Sequence, residues 1–268
     1  MRYRRAASVP EAIAALADGA VPLAGGTVLI PEAIRRGEGP DVVDVARIDA
    51  LHELSVGPTL RLGAMLTIAR IASAPELAAF PALQRAAAEV ANPHVRLRAT
   101  LGGNLGYRAP YANLPPVLIA LDAVVVIADA QGERTIAIEE LARTGPPPGA
   151  LIVGVEIQLA GSERRSAFRK FAWRRSSGRT LVTVAIGGTA EAPRVAVGGL
   201  CQHAVRLPRV EALLAGRAWT NAVIDEAARR AADETPADVA AFPPPGYRRR
   251  LVAAGVRSAL VELSEPSP

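Results

Sequence analysis

Apolar positions in this chain alternate between helical spacing and short strand-like runs, with glycine and proline at the breaks. Residues 9–16 read as a helix, capped by Ser8 with Glu11 three residues on, the arrangement of a capping box. A strand-like run at 21–24 breaks at Gly25-Gly26-Thr27, and helical spacing then runs from Val28 to Arg36 and stops at Gly37. Residues 41–44 and 59–64 read as strands, and 67–73 and 81–91 as helices. Residues 94–113 are too rich in Gly, Pro and Arg for one regular element. They read as a long connection, and long connections inside compact domains usually carry function. A helix at 114–121 follows, then strands 123–128 and 134–138 around a turn, forming a hairpin, and a strand at 151–159.

The charged stretch Gly161-Ser162-Glu163-Arg164-Arg165 reads as a domain boundary. Beyond it come three strands, 168–174, 182–187 and 194–198, and then helices at 209–215, 220–232 and 247–263. Strands followed by helices predict an α+β class. The expected division is a domain of residues 1–162, with subdomains of about 1–50 and 51–162, and a C-terminal α+β domain of residues 163–268.

Composition narrows the chemistry. With half of its 268 residues hydrophobic and 21% charged, the chain is not disordered, and no apolar run is long enough for a membrane span. The amino terminus lacks a signal-peptide pattern, so the expected location is cytoplasmic. A lone Cys201 cannot form an internal disulfide or hold an iron–sulfur cluster, so any such cluster belongs to another chain. His52, His94 and His203 have no metal-site spacing, and no metal is expected here. The net charge of +5 rests on arginine, Lys170 being the only lysine, and no nucleic-acid-binding motif accompanies it.

The sequence has neither a GxGxxG nor a P-loop motif. It has two Gly-Gly turns after apolar segments, Ala24-Gly25-Gly26-Thr27 and Thr100-Leu101-Gly102-Gly103-Asn104. Such turns can aim successive backbone N–H groups at a pyrophosphate, and the first also opens a helix. Taken alone, each reads first as a plain tight turn that happens to carry glycine. Gly187-Gly188-Thr189 reads as a hairpin turn and Gly198-Gly199 as a strand-end bend.

Together with residues 22–37, the run Asn92-Pro93-His94-Val95-Arg96-Leu97-Arg98-Ala99 before TLGGN, the later LPPVLIALDA and the strand FRKFAWRR, the ordered AGGT and TLGGN turns carry a resemblance that covers nearly the whole chain. The sequence resembles the FAD-binding medium subunit of the xanthine dehydrogenase and carbon monoxide dehydrogenase family of molybdenum hydroxylases. The resemblance implies a two-subdomain FAD-binding fold of the PCMH/vanillyl-alcohol-oxidase kind, followed by a small domain with a three-stranded antiparallel sheet and helices. It implies that Leu23, Ala24, Gly25, Gly26, Thr27, Val28 and Leu29 wrap the FAD pyrophosphate and that Thr100, Leu101, Gly102, Gly103 and Asn104 form a second cradle. Ile152 and Lys170 match further cofactor contacts, and Asn113 stands where the family usually has an Asp for a ribose hydroxyl. Val28 replaces an acidic or polar residue of many members.

Between the second cradle and the next helix, Tyr107 could stack on the flavin and Arg108 could meet its reduced anionic form, or both could sit on the surface. The resemblance also implies a multi-subunit molybdenum hydroxylase, as a dimer of heterotrimers: a large subunit with molybdopterin, an iron–sulfur small subunit with [2Fe–2S] clusters, and this chain passing electrons from FAD to NAD⁺, O₂ or another acceptor. The loop 106–113 is expected at the contact with the iron–sulfur subunit. The alternative is a non-catalytic assembly subunit with lost or weakened FAD binding, to which Asn113 and Val28 would point.

Overall fold

The structure is a computed structural model, and it describes residues 1–159, 165–174, 180–236 and 243–265. The first subdomain contains β1 (Tyr3–Arg5), α1 (Val9–Ala17), β2 (Val21–Leu23), α2 (Leu29–Arg36) and β3 (Val42–Asp44). Its sheet is parallel in the order β1-β3-β2, with Val42 and Val43 of the central strand buried. The expected cap of α1 forms. Ser8 Oγ accepts from the Glu11 N–H, and the Glu11 carboxylate reaches back to the Ala7 N–H. Helix α2 ends at Gly37, whose φ of 73° suits glycine, and buries none of its own residues.

The second subdomain is an antiparallel sheet of β4 (Leu54–Val56), β5 (Thr59–Gly63), β6 (Val124–Asp129), β7 (Gly132–Ala137) and β8 (Leu151–Gln158), in the order β4-β5-β8-β6-β7. With it pack α3 (Ile68–Ser73), α4 (Pro81–Ala88), α5 (Pro93–Arg96), α6 (Leu101–Tyr107), α7 (Leu114–Ala120) and α8 (Ile138–Thr144). The stretch expected to be irregular therefore holds two short helices. Asn92 Oδ1 caps α5 by accepting from the Val95 N–H at 3.0 Å, and Thr100 Oγ1 caps α6 by accepting from the Gly103 N–H at 3.1 Å. Burial of Leu101 and Leu105 then holds a glycine-rich helix that its propensity alone would not. Helix α8 also departs from the pattern. The strand expected to reach Ile138 stops at Ala137, because Ile138, Leu141 and Ala142 bury together only on a helix.

In the C-terminal part, β9 (Ala167–Ala172), β10 (Thr180–Gly188) and β11 (Pro193–Gly198) are the three expected strands, and β12 (Val205–Arg206) adds an edge, in the order β12-β11-β10-β9. Strand alternation gives this sheet two unlike faces. Val182, Val184 and Ile186 of β10, with Val195 and Val197 of β11, pack with α9 (Pro208–Leu214), α10 (Asn221–Glu234) and α11 (Pro245–Ser264). The other face presents Thr183, Ala185, Gly187, Ala196 and Gly198, and against it lies α7, all seven of whose residues are buried. A Cβ at Gly187 would overlap the Ala120 carbonyl, and one at Gly198 would come within 3.1 Å of Pro116 Cγ, so small residues set how closely α7 approaches. Gly188 lies in the β10–β11 hairpin turn at φ +85°, and Gly199 in the bend after β11 at φ +96°.

One hydrophobic cluster thus runs from β5, β6 and α7 into Phe168, Ala185 and Ala196 of the C-terminal sheet. The boundary expected around residues 161–165 lies, up to Arg164, outside the described residues. No helix among the described residues is long and apolar enough to cross a membrane.

The short strand β12 is held by charge. The buried Glu211 on α9 takes Arg206 Nε at 2.8 and 2.9 Å and Nη2 at 2.7 Å, and also accepts the Val195 N–H at 2.9 Å. Glu211→Ala leaves a buried strand N–H without its acceptor and takes from Arg206 its close carboxylate, leaving the longer contact to Glu139 at 3.7 Å. Urea denaturation should show a loss of about 3 kcal/mol of stability.

Candidate functional site

A cleft of about 950 Å³ opens where β2 leaves the parallel sheet, between the first subdomain, the α5–α7 region and the near edge of the C-terminal sheet. Its volume is at the upper end for small-molecule and cofactor sites. Leu23, Ala24, Gly25, Gly26, Thr27, Val28 and Leu29 all line it. Two glycines have separate reasons to be glycine. A Cβ on Gly25 would overlap the carbonyl oxygen of Arg98, so the turn and the segment before α6 touch backbone to backbone. Gly26 has φ +68°, a conformation that side chains disfavour. Among the described residues, no acceptor takes the N–H of Gly25, Gly26, Thr27 or Val28. These four donors precede α2, whose dipole adds partial positive charge at the same end.

The second glycine turn is built differently. Thr100, Gly102, Gly103 and Asn104 line the cleft, whereas Leu101 does not: its side chain is fully buried in the core. The expectation that this turn aims its backbone donors at a ligand is corrected by their partners. Leu101 N–H goes to Leu66 O at 2.9 Å, Gly102 N–H to Ala64 O at 2.8 Å, and Asn104 N–H to Thr100 O at 2.9 Å. With the Gly103 N–H on its cap, the turn is the first turn of a docked helix. What it offers the cleft is space and an amide. A Cβ at Gly103 meets only Thr100 Oγ1, at 3.0 Å, while one at Gly102 would press on Ala64 Cβ at 2.8 Å. The side-chain oxygen Oδ1 of Asn104 is buried and has no hydrogen-bond partner among the described residues.

Ile152 on β8 and Lys170 on β9 also line the cleft. Lys170 Nζ donates to the Glu89 carbonyl at 2.5 Å. Burial pushes its ammonium below the ordinary lysine range; nearby Glu89 opposes this and Arg96 adds to it. Tyr107 and Tyr111 stand at the cleft, but Arg108 does not. Its guanidinium donates to the carbonyls of Ala142 and Arg143 at the end of α8, so it is not placed for a flavin. Glu32 and Thr180 line the cleft too, and no spacing in the sequence singled them out. Among the described residues, neither histidine nor cysteine lines the cleft.

Asn113 reaches the cleft wall but is already engaged. It is buried, its Nδ2 donates to Ala86 O at 3.2 Å, and its Oδ1 accepts from Thr180 Oγ1 at 3.3 Å. The Ala86 carbonyl can only accept, which fixes the orientation of the amide. A carboxylate at this position would face that carbonyl with no donor, so in this chain the Asp that the family usually has here works against the fold. Asn113→Asp should lower stability by about 2 kcal/mol in chemical denaturation. FAD titration should show no gain in affinity.

The donors at residues 25–28, the open side of Gly103 and the unpartnered Asn104 oxygen suit a ligand with both anionic and hydroxyl groups, as FAD has. Comparison with known proteins agrees with this chemistry. The family described as the FAD binding domain in molybdopterin dehydrogenase matches residues 1–158, and the CO dehydrogenase flavoprotein C-terminal domain matches residues 167–263. The chain is 33% identical over 227 residues to the 6-hydroxypseudooxynicotine dehydrogenase complex subunit alpha of Paenarthrobacter nicotinovorans, covering 79% of this chain and 77% of that protein. It is 31% identical over 229 residues to the nicotine 6-hydroxylase medium subunit of the same organism, covering 81% and 80%. Among solved structures, quinoline 2-oxidoreductase from Pseudomonas putida 86 superposes with a TM-score of 0.88 at 28% identity, over 98% of this chain and 96% of that one. With both matched segments in order and the fold shared end to end, the chain belongs to the FAD-binding medium subunits of the xanthine dehydrogenase and carbon monoxide dehydrogenase family of molybdenum hydroxylases, and is a flavoprotein subunit of an oxidoreductase.

Proposed function

We propose that the cleft holds FAD non-covalently and that the chain is the electron-transfer subunit of a larger complex. It takes electrons from [2Fe–2S] clusters on an iron–sulfur small subunit and passes them to NAD⁺, O₂ or another acceptor. A large subunit with molybdopterin performs the substrate chemistry. The related proteins named as a complex subunit and a medium subunit support this division of labour. So does the single Cys201, which leaves the chain without ligands for a cluster of its own. A dimer of heterotrimers in the cytoplasm belongs to the same proposal. So does a contact between the iron–sulfur subunit and the 106–113 loop, where Tyr107 is 44% exposed.

The observation that carries the reading is the unlike chemistry of the two cleft walls. A pyrophosphate presents only acceptors, and the N–H groups of Gly25, Gly26, Thr27 and Val28 are unclaimed donors. Ribose and ribityl hydroxyls are donors, and Asn104 Oδ1 is a buried acceptor without one. Lys170, held by the Glu89 carbonyl, adds a fixed cation to the wall for an anionic oxygen. Bound FAD supplies the redox chemistry, taking up and giving up electrons singly or in pairs. The chain binds and orients it.

The alternative of an assembly subunit that has lost FAD drew on Asn113 and Val28. Asn113 is occupied by its own chain, and Val28 contributes a backbone N–H that does not depend on its side chain. Neither departure removes a group the cleft would use.

Gly103→Val is the discriminating variant, since its side chain enters the cleft with little else in the way. Flavin affinity should fall by roughly a hundredfold, equivalent to about 3 kcal/mol, with an unchanged circular dichroism spectrum. Full flavin occupancy in the folded variant would defeat the assignment. Because no cysteine or histidine lines the cleft, acid precipitation of the wild-type chain should release all flavin to the supernatant. Yellow colour retained in the pellet would contradict non-covalent binding.

A further inference from the structure

The base and the mouth of the cleft are held by different forces. At the base, Gly25 lies against the Arg98 backbone. Nearby, Val45 and Leu51 from one side pack in a single apolar cluster with Met65 and Leu151 from the other. At the mouth stands α2, a helix with no buried residue, so little apolar packing ties it down. Its Glu32 crosses to the opposite wall: Tyr107 Oη, at the last turn of α6, donates to Glu32 Oε1 at 3.4 Å across 75 residues of sequence. Both residues line the cleft. The second carboxylate oxygen of Glu32 lies 4.0 Å from Arg36 Nη2, one helical turn along, which steadies the carboxylate. Tyr111 interacts with Tyr107 from the same wall.

We propose that Glu32 and Tyr107 form a clasp across the mouth of the cleft that sets the residence time of FAD by tying α2 to α6. The inference rests on the assignment of the cleft to FAD. Seated at the base, the cofactor can leave only as the walls part at the mouth, and parting there breaks this hydrogen bond while leaving the packed base intact. Burial, together with Tyr111 and Glu32, holds the Tyr107 phenol above the ordinary tyrosine range. It therefore keeps its proton, and its role as donor, at any pH at which the protein works. An exposed bond of this length changes the rate of escape modestly and does not decide whether FAD binds at all.

The test measures flavin left on the full chain at timed intervals after dilution through a desalting column. Tyr107→Phe and Glu32→Ala should each speed FAD loss about threefold, as expected for one long, solvent-exposed hydrogen bond at the weak end of the usual net contribution. The double variant should lose FAD no faster than either single one, since both remove the same interaction. Unchanged release in the single variants, or effects that multiply in the double one, would overturn the clasp. Uptake by Gly103→Val equal to that of wild type would overturn the FAD assignment itself. The two failures are distinct, because the release rates of the single and double variants read the Glu32–Tyr107 hydrogen bond, whereas uptake by Gly103→Val reads whether flavin occupies the cleft at all.

Discussion

The burial of α7 on every side is the constraint from which the rest of the architecture follows. Its seven residues touch the second subdomain on one side and the small-residue face of β10 and β11 on the other. Glycine and alanine on that face let the helix approach until backbone meets backbone, and close packing makes the position unforgiving. The cleft inherits this precision. Asn113, immediately before α7, is clamped between Ala86 and Thr180, and the same docking brings Lys170 of β9 to the wall that β2 and α6 begin.

The two glycine turns look alike as sequence and differ as chemistry. One is a true turn with unclaimed N–H groups, and the other is a helix start whose N–H groups are spent on Ala64, Leu66 and Thr100. The two walls therefore differ: one carries backbone N–H groups without acceptors among the described residues, and the other a side-chain amide whose oxygen has no partner among them.

Strands and helices with buried faces were legible because burial imposes period. Val182, Val184 and Ile186 alternate, and the hairpin of β6 and β7 declares itself by its turn. Elements of two or three residues, such as β1, β4 and β12, carry too few positions to show a period, and they exist by pairing with neighbours. Helices α5 and α6 were hidden by their glycine, proline and arginine content, although Asn92 and Thr100, each three residues ahead of the N–H it caps, were a usable signal. Most of the cleft residues came from resemblance rather than from spacing. The sequence alone could not reveal that Leu101 faces the core, that Arg108 turns to α8, or that Asn113 is already satisfied. Each depends on a partner far away in the chain.

The shared burial of α7 also bears on how the chain can be divided. Two family descriptions meet here, one matching residues 1–158 and the other 167–263, yet the packing around α7 runs across that junction. A fragment ending at residue 158 would expose the side of α7 that now meets Ala185, Ala196 and Gly198, and would take Thr180 from Asn113. The cofactor-binding segment thus lacks a complete cover of its own for α7: its carboxy-terminal companion closes that helix with Phe168, Ala185 and Ala196, a small share of the core that nonetheless shields one whole side of it.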